Sequence, residues 1–287
     1  YFHICQKGDW KKSFDMIFGD VVKYGLYDAT TEIRIGIVSD NNIFIDDERF
    51  HNNKFKIIYK GNAPNYERPT LLHMRFKSDS DEDNTLYWYL HTKGIQHFNT
   101  PKENNIIDWI KLMLYWNIEL YKIAISKLQT YDTYGCNAIN TLHYSGNFWW
   151  ATVKHIRKLP LTIPRYYTAP EDWICTVRNK MCVIYSSGLQ GGGHYGNSYP
   201  EILYKLPSNF NFNVYKYGNM HFDKMSDEDC IEHFINHGRK DLRNYKLPKD
   251  FNLTSYRDNN PDLINHDDNQ LIYHWFNHGF REHRKIN

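Results

Sequence analysis

No stretch of the 287-residue sequence approaches the ~20 consecutive apolar residues that a membrane-spanning helix needs. The mean hydropathy is −0.69, so no membrane span is expected and the chain reads as soluble. Charge of either sign is hardly in excess: 35 Lys and Arg against 33 Asp and Glu leave +2, with a pI near 8.2. Nothing in that balance argues for nucleic acid or an anionic membrane as a partner. Cysteine is sparse. Cys5, Cys136, Cys175, Cys182 and Cys230 show no Cys-x-x-Cys or other ligand spacing. They read as buried free thiols of a reducing compartment, which points to the cytoplasm. The one glycosylation sequon, Asn252-Leu253-Thr254, is what chance supplies in an Asn-rich chain. Tyr1 rather than Met opens the sequence and already reads as strand, so the chain looks like a trimmed piece with no signal peptide in view.

What is present is core material. Hydrophobic residues make up 41% and aromatics 16%, which excludes a disordered chain. At ~150 residues per domain the length predicts two domains.

The first two hundred residues alternate strand and helix patterns. Tyr1–Cys5, Ile33–Val38, Phe55–Tyr59 and Leu86–Leu90 read as strands, the last fully apolar, as in a buried and mainly parallel sheet. Between the first two, Trp10, Phe14, Ile17, Phe18 and Val21 share one face of a predicted helix that ends at Gly25, a C-cap glycine. A helix is predicted over Glu67–Lys77, followed by the acidic, solvated stretch Asp79–Asp83. Thr100-Pro101-Lys102-Glu103 reads as a capping box with proline at the first helical position, opening a helix that runs to about Gln129. Strands around Tyr131–Cys136 and Phe148–Thr152 follow. This alternation predicts a doubly wound α/β sheet, in which ligands bind at the carboxyl ends of strands.

The last eighty residues differ. Leu206-Pro207-Ser208-Asn209-Phe210-Asn211 recurs as Leu247-Pro248-Lys249-Asp250-Phe251-Asn252, and Ile231–Gly238 recurs as Ile272–Gly279 at the same offset. Two helical repeats of about 41 residues are predicted, with Ser226 and Asp267 or Asp268 as N-caps and Gly238 and Gly279 as C-caps. The domain boundary is placed at 205/206. His233/His237 and His274/His278 are i,i+4 pairs of the kind that bind zinc. They recur with the repeat and no third ligand type accompanies them, so packing and the helix dipole account for them and no metal is assigned.

Three segments of the first domain carry groups suited to chemistry. The strand Leu86–Leu90 opens onto His91-Thr92-Lys93-Gly94, where Lys93 offers a point charge for phosphate and Gly94 permits close backbone approach. A polar strand end with a turn glycine would look the same. His143-Tyr144-Ser145-Gly146-Asn147-Phe148-Trp149-Trp150-Ala151 combines amide and hydroxyl groups with flat aromatic faces, the pairing that sugars use, or else core aromatics around a bulge. Pro170-Glu171-Asp172-Trp173 puts adjacent carboxylates at a helix start, either as capping groups or as a general base whose pKa Trp173 raises by desolvation. Gly191-Gly192-Gly193-His194 lacks the strand-and-helix context of a phosphate loop and reads as a mobile loop or a plain linker.

Together and in this order, these segments resemble GT-A-type glycosyltransferases, specifically bacterial and giant-virus enzymes with "HTKG … GNFWWA … EDW" signatures. More distantly they resemble the rhamnan-synthesis protein F type of polysaccharide glycosyltransferase. The resemblance covers roughly Tyr1 to Tyr185, beginning with Phe2-His3-Ile4 and Tyr24-Gly25-Leu26-Tyr27-Asp28. The C-terminal copies resemble short "NPDL … HxxxHG" modules attached to such enzymes, here Asn260-Pro261-Asp262-Leu263 and His274 to Gly279.

The resemblance implies a GT-A-like, Rossmann-like sheet flanked by helices over residues 1–205, with the repeats over 206–287. It implies transfer of a hexose from a nucleotide-sugar, a UDP-sugar first, to a hydroxyl of a glycan or glycoprotein, with inversion. His3, His91, Thr92, Lys93 and Gly94 would then meet the donor, and His143, Ser145, Gly146, Asn147, Trp149 and Trp150 would shape the sugar and acceptor pocket. Asp172, ahead of Glu171, would take the acceptor proton. The repeats would serve protein contacts, and the site of action would be the cytoplasm, that of a host or the virion if the source is viral.

One departure stands out. GT-A enzymes carry an Asp-x-Asp at the end of the central strand to hold a divalent manganese or magnesium ion, and His91-Thr92-Lys93 occupies that place here. Either Lys93 supplies the charge or a metal is held differently. Asp79-Ser80-Asp81 matches formally but precedes the strand. The missing motif is the best support for the alternative, a catalytically silent carbohydrate-binding or scaffold protein on the same fold. A nucleotide-binding α/β protein of another kind is the third reading, weakened because no G-x-x-x-x-G-K-[ST] occurs.

Overall fold

The computed structural model describes residues 1–139, 142–189 and 192–286. The chain divides into two units, Tyr1–Glu201 and Ile202–Asn287. Residues 202–205 go with the second unit, because the Arg239 guanidinium donates to the carbonyl oxygens of Ile202 and Lys205.

The strands of the first unit are β1 Phe2–Gln6, β2 Ile33–Ser39, β3 Phe55–Asn62, β4 Leu86–His91, β5 Thr133–Gly135, β6 Ala138–Ile139, β7 His143–Tyr144, β8 Trp149–Thr152 and β9 Met181–Val183. Seven form one sheet in the order β3-β2-β1-β4-β8-β5-β9, while β6 and β7 pair as a separate antiparallel ribbon. The neighbours β3, β2, β1 and β4 run parallel, and β8 alone runs antiparallel to both of its partners. The unit is therefore α/β, with a mostly parallel sheet flanked by helices. Apolar runs such as Tyr87–Leu90 are what a strand covered on both faces requires. The helix Trp10–Lys23 buries the five predicted apolar residues and Ser13, and Gly25, at φ 79°, follows its end in the left-handed region that glycine tolerates.

The long predicted helix is broken in two. It starts at Glu103, not Pro101: Thr100 Oγ1 accepts from the Lys102 N–H at 3.2 Å and the Glu103 carboxylate from the Asn99 N–H at 2.6 Å, one residue out of capping-box register. After Leu114 comes a π-turn, Tyr115–Glu119, and then a second helix, Tyr121–Lys127. Side chains occupy the backbone acceptors around that turn. Tyr134 Oη donates to the Trp116 carbonyl, Trp150 Nε1 to that of Asn117, and Asn117 Nδ2 to that of Met113. Such outside partners are what a widened helical turn needs.

The acidic stretch also departs from expectation. Asp79 is exposed, but Asp81 is largely covered, paired with Arg34 and Lys77 and bonded by Tyr87 Oη at 2.5 Å.

In the second unit each copy forms one short helix, Phe212–Tyr217 or Leu253–Asp258, and one longer one, Asp227–His233 or Asp268–His274. Asn211 and Asn252 cap the short helices, and Ser226 and Asp267 open the longer ones with capping boxes. Gly238 and Gly279 do not cap. Each lies inside a π-turn, Phe234–Gly238 or Trp275–Gly279, and a Cβ there would lie 2.3 Å from Tyr215 Oη or 2.0 Å from Tyr256 Oη. Close approach, not a left-handed backbone, demands glycine; the left-handed residues shortly after these turns are Leu242 and His283. Among the described residues no helix is long and apolar enough to cross a membrane.

Candidate active site

The carboxyl ends of β1 and β4 lie side by side, so residues 3–7 and 91–94 meet there. Thr92 extends the pairing past β4: its N–H donates to the His3 carbonyl at 3.0 Å and its hydroxyl accepts from the Cys5 N–H at 2.9 Å. Gly94 turns the chain at φ 74°, and a Cβ there would lie 2.2 Å from Ile106 Cγ2. This turn leaves Lys93 only 6% exposed. Its ammonium sits 4.3 Å from the centre of the Trp109 ring, a cation–π contact, and no carboxylate pairs with it among the described residues. Burial lowers the Lys93 pKa, and the charges of Glu171 and Glu67 oppose that shift.

His91 and His3 are buried beside it. His91 Nε2 donates to the Gly146 carbonyl at 3.0 Å, and His3 Nδ1 lies 2.8 Å from Thr70 Oγ1. Burial pushes both imidazoles down to about 4, so both are neutral near pH 7. His3 Nε2 is buried with no partner among the described residues.

Glu67 joins this group and was not among the sequence candidates. It stands at the start of the helix Arg68–Ser78 but does not cap it, because its carboxylate is drawn elsewhere. Tyr89 Oη and Asn147 Nδ2 both donate to Oε2, at 2.6 and 2.5 Å. Trp149 Nε1 donates to Asn147 Oδ1 at 2.7 Å and so orients that amide. The only local signal was an acid just before a helix, which ordinarily means capping.

These groups line a cavity of about 420 Å³. His3, Glu67, His91 to Gly94 and Glu171 contribute to it, with Tyr66, Tyr167 and Tyr195 adding aromatic surface. A larger cavity of about 700 Å³ includes Arg34, Asp81 and Tyr87 from the other ends of the strands. There Arg34 is paired with Glu32 and Asp81, and Tyr87 bonds Asp81, so the smaller cleft is the better candidate site.

The expected acceptor segment splits. Gly146, at φ 91°, brings its carbonyl to His91, and Asn147 holds Glu67. Ser145, Trp149 and Trp150 are buried, so no broad aromatic face is left for a sugar. Trp149 stacks on Tyr89 with ring centres 5.0 Å apart, and Trp150 lines the larger cavity instead of the cleft. Alternation along β8 sends their rings to opposite faces of the sheet.

The acidic pair divides as well. Glu171 lines the cleft, whereas Asp172 does not: it accepts from His143 Nδ1 at 2.9 Å and Tyr166 Oη at 3.3 Å. The order expected from the sequence, Asp172 before Glu171, is thus reversed in placement. His143 Nε2 lies 3.7 Å from Glu171 Oε2, so the imidazole stands between the two acids. Trp173 is buried in the core with its indole N–H on the Pro160 carbonyl, so it is packing rather than a cover for the base. Gly191 lies outside the described residues; His194 stacks on Trp109 at 5.1 Å, and Tyr195 reaches the cleft. Among the described residues no group of three His, Cys, Asp or Glu side chains is gathered for a metal ion.

In comparisons with known proteins, no family model, no curated protein and no solved structure matches the chain.

Proposed function

We propose that the first unit is a GT-A-type glycosyltransferase that uses a nucleotide-sugar, and that the cleft is its active site. The observation that carries this reading is Lys93, a buried ammonium without a carboxylate partner among the described residues, at the carboxyl edge of parallel strands. A cation so placed is stabilised by an incoming anion, and the diphosphate of a nucleotide-sugar supplies one where a metal motif is missing. Of the two carboxylates in the cleft, Glu67 is held by Tyr89 and Asn147, and Glu171 serves as general base. An acceptor hydroxyl oxygen bonds to the anomeric carbon, its proton passes to Glu171, and the bond from that carbon to the diphosphate oxygen breaks. The nucleoside diphosphate leaves with the electron pair, its charge met by Lys93, and the anomeric centre inverts. Tyr66, Tyr167 and Tyr195 offer rings to the sugar or acceptor. The second unit, in this reading, holds an acceptor or a protein partner.

Incubation with UDP-, GDP- and dTDP-sugars, reading release of nucleoside diphosphate, tests the reading. Release that requires both an acceptor glycan and Lys93 supports it. Binding of sugars without turnover would favour the silent carbohydrate-binding protein. Lys93→Ala should weaken nucleoside diphosphate binding by about 1–3 kcal/mol, the cost of a hydrogen bond to a charged group.

A further inference from the structure

The floor of the cleft is built from acceptors. Both donors to Glu67, Tyr89 Oη and Asn147 Nδ2, fall on Oε2, which leaves Oε1 free to face His91 Nδ1 at 3.8 Å. His91 Nε2 carries the ring proton, because only an N–H can bond the Gly146 carbonyl. A neutral ring then presents a bare lone pair at Nδ1. Carboxylate oxygen and lone pair cannot bond each other, and both side chains are largely covered. A donor placed between them would bond both. A cation is disfavoured by the Lys93 ammonium in the same cleft, which leaves a neutral O–H.

We propose that Glu67 Oε1 and His91 Nδ1 form a notch that receives one hydroxyl of the donor's sugar while Lys93 holds the diphosphate. This rests on the nucleotide-sugar reading above and adds to it a sugar-recognising residue, Glu67, that takes no part in proton transfer.

The notch can be inverted without changing its shape. In Glu67→Gln the two donors keep the amide oxygen at the Oε2 position. The NH2 group must then stand where Oε1 was, donating to His91 Nδ1 and closing the notch. Calorimetry would compare nucleotide-sugars with their free nucleoside diphosphates on the unsubstituted protein and on Glu67→Gln. The expected result is that the nucleoside diphosphate binds both proteins equally. The extra affinity contributed by the sugar should fall about ten- to hundredfold in the variant, as for a lost hydrogen bond to a charged group. An intact sugar contribution in Glu67→Gln overturns the notch, as does equal weakening of both ligand classes. Failure of every nucleotide and nucleotide-sugar to bind the unsubstituted protein overturns the donor reading itself. Deoxy analogues of the bound sugar supply an arm that needs no variant. Loss of one particular hydroxyl should reproduce the effect of Glu67→Gln, and full affinity for every deoxy analogue counts against the proposal.

Discussion

In the second unit, His233 and His274 each meet a tyrosine hydroxyl, Tyr215 at 2.6 Å and Tyr256 at 2.9 Å, and the arrangement is repeated across the two copies. In the first unit, His3 and His91 border a cleft, with His3 Nε2 buried and unpartnered and His91 Nδ1 turned toward a carboxylate beyond bonding distance. The same residue type closes a packing contact in one unit and is left open in the other. An open buried polar atom costs stability, on the order of 1–3 kcal/mol, and functional sites are where such costs are expected. On sequence, the i,i+4 histidines of the repeats go to packing, and these two bonds are packing contacts between the helices of each copy.

The comparison can be broken most sharply at the acids. Glu171→Gln should lower sugar transfer ~10²–10⁴-fold, the usual loss for a general base, with folding intact by circular dichroism. Asp172→Asn should cost less, because Asp172 acts on His143 rather than on the cleft. Equal, near-wild-type rates in both variants would remove the proposed base.

Acid should separate the units next. His3, His91 and His194 all titrate near 4 in the folded chain, against 6.5 for the free side chain, with burial the main cause. Their folded pKa values are depressed, so the unfolded chain binds more protons between these limits. Stability is full above pH 6.5 and is lost as pH falls toward 4, by roughly 3 kcal/mol for each fully buried ring at about pH 4. His233 and His274 shift in the same direction but are less buried, so the repeats should lose less. Hydrogen exchange followed by mass spectrometry resolves the two units. Tryptophan fluorescence reports mainly the first, since only Trp275 lies in the second. Earlier exposure of the repeats would contradict the contrast.

The glycines sharpen it further. Gly94→Ala combines a left-handed φ with overlap on Ile106 and should destabilise the first unit by about 2–4 kcal/mol. Gly238→Ala meets the tip of Tyr215 first, with Phe234 Cδ2 next at 3.2 Å, and Tyr215→Phe removes the nearest atom. The double variant should therefore be more stable than the two single losses add up to, by about 1 kcal/mol in thermal unfolding. Strict additivity would mean that close approach is not the reason for glycine there. The smallest effect is expected at the caps: Ser226→Ala and Asp267→Ala should each cost about 1 kcal/mol, and nearly the same amount, because each removes the same device from one copy.

Much of this was legible in the sequence where the cause is local. The spacing of Trp10, Phe14, Ile17, Phe18 and Val21 marks one helix face, and all five are buried. The apolar run Tyr87–Leu90 marks a strand covered on both faces, and the polar residues after it come to the cleft. The repeat offset marks Ser226 and Asp267 as equivalent caps. The misreadings share one origin. The π-turn at Tyr115–Glu119 depends on carbonyls claimed by Tyr134 and Trp150, which no helical periodicity encodes. Gly238 and Gly279 look like C-caps because a tyrosine hydroxyl some twenty residues earlier leaves no mark at the glycine itself.

What the residues settle alone is therefore the class of the first four strands and the amphipathic helices, the two-part organisation and the polar strand end, since helix face, strand face and cap all follow from neighbours within a few positions. Which side chains face the cleft was decided by the tertiary structure. Glu67 meets Tyr89 and Asn147 across 22 and 80 residues of chain, and Glu171 rather than Asp172 reaches the cavity because His143 and Tyr166 claim its neighbour. A carboxylate's role depends on which donors reach it and how much water remains around it, and both are set only when distant segments pack together.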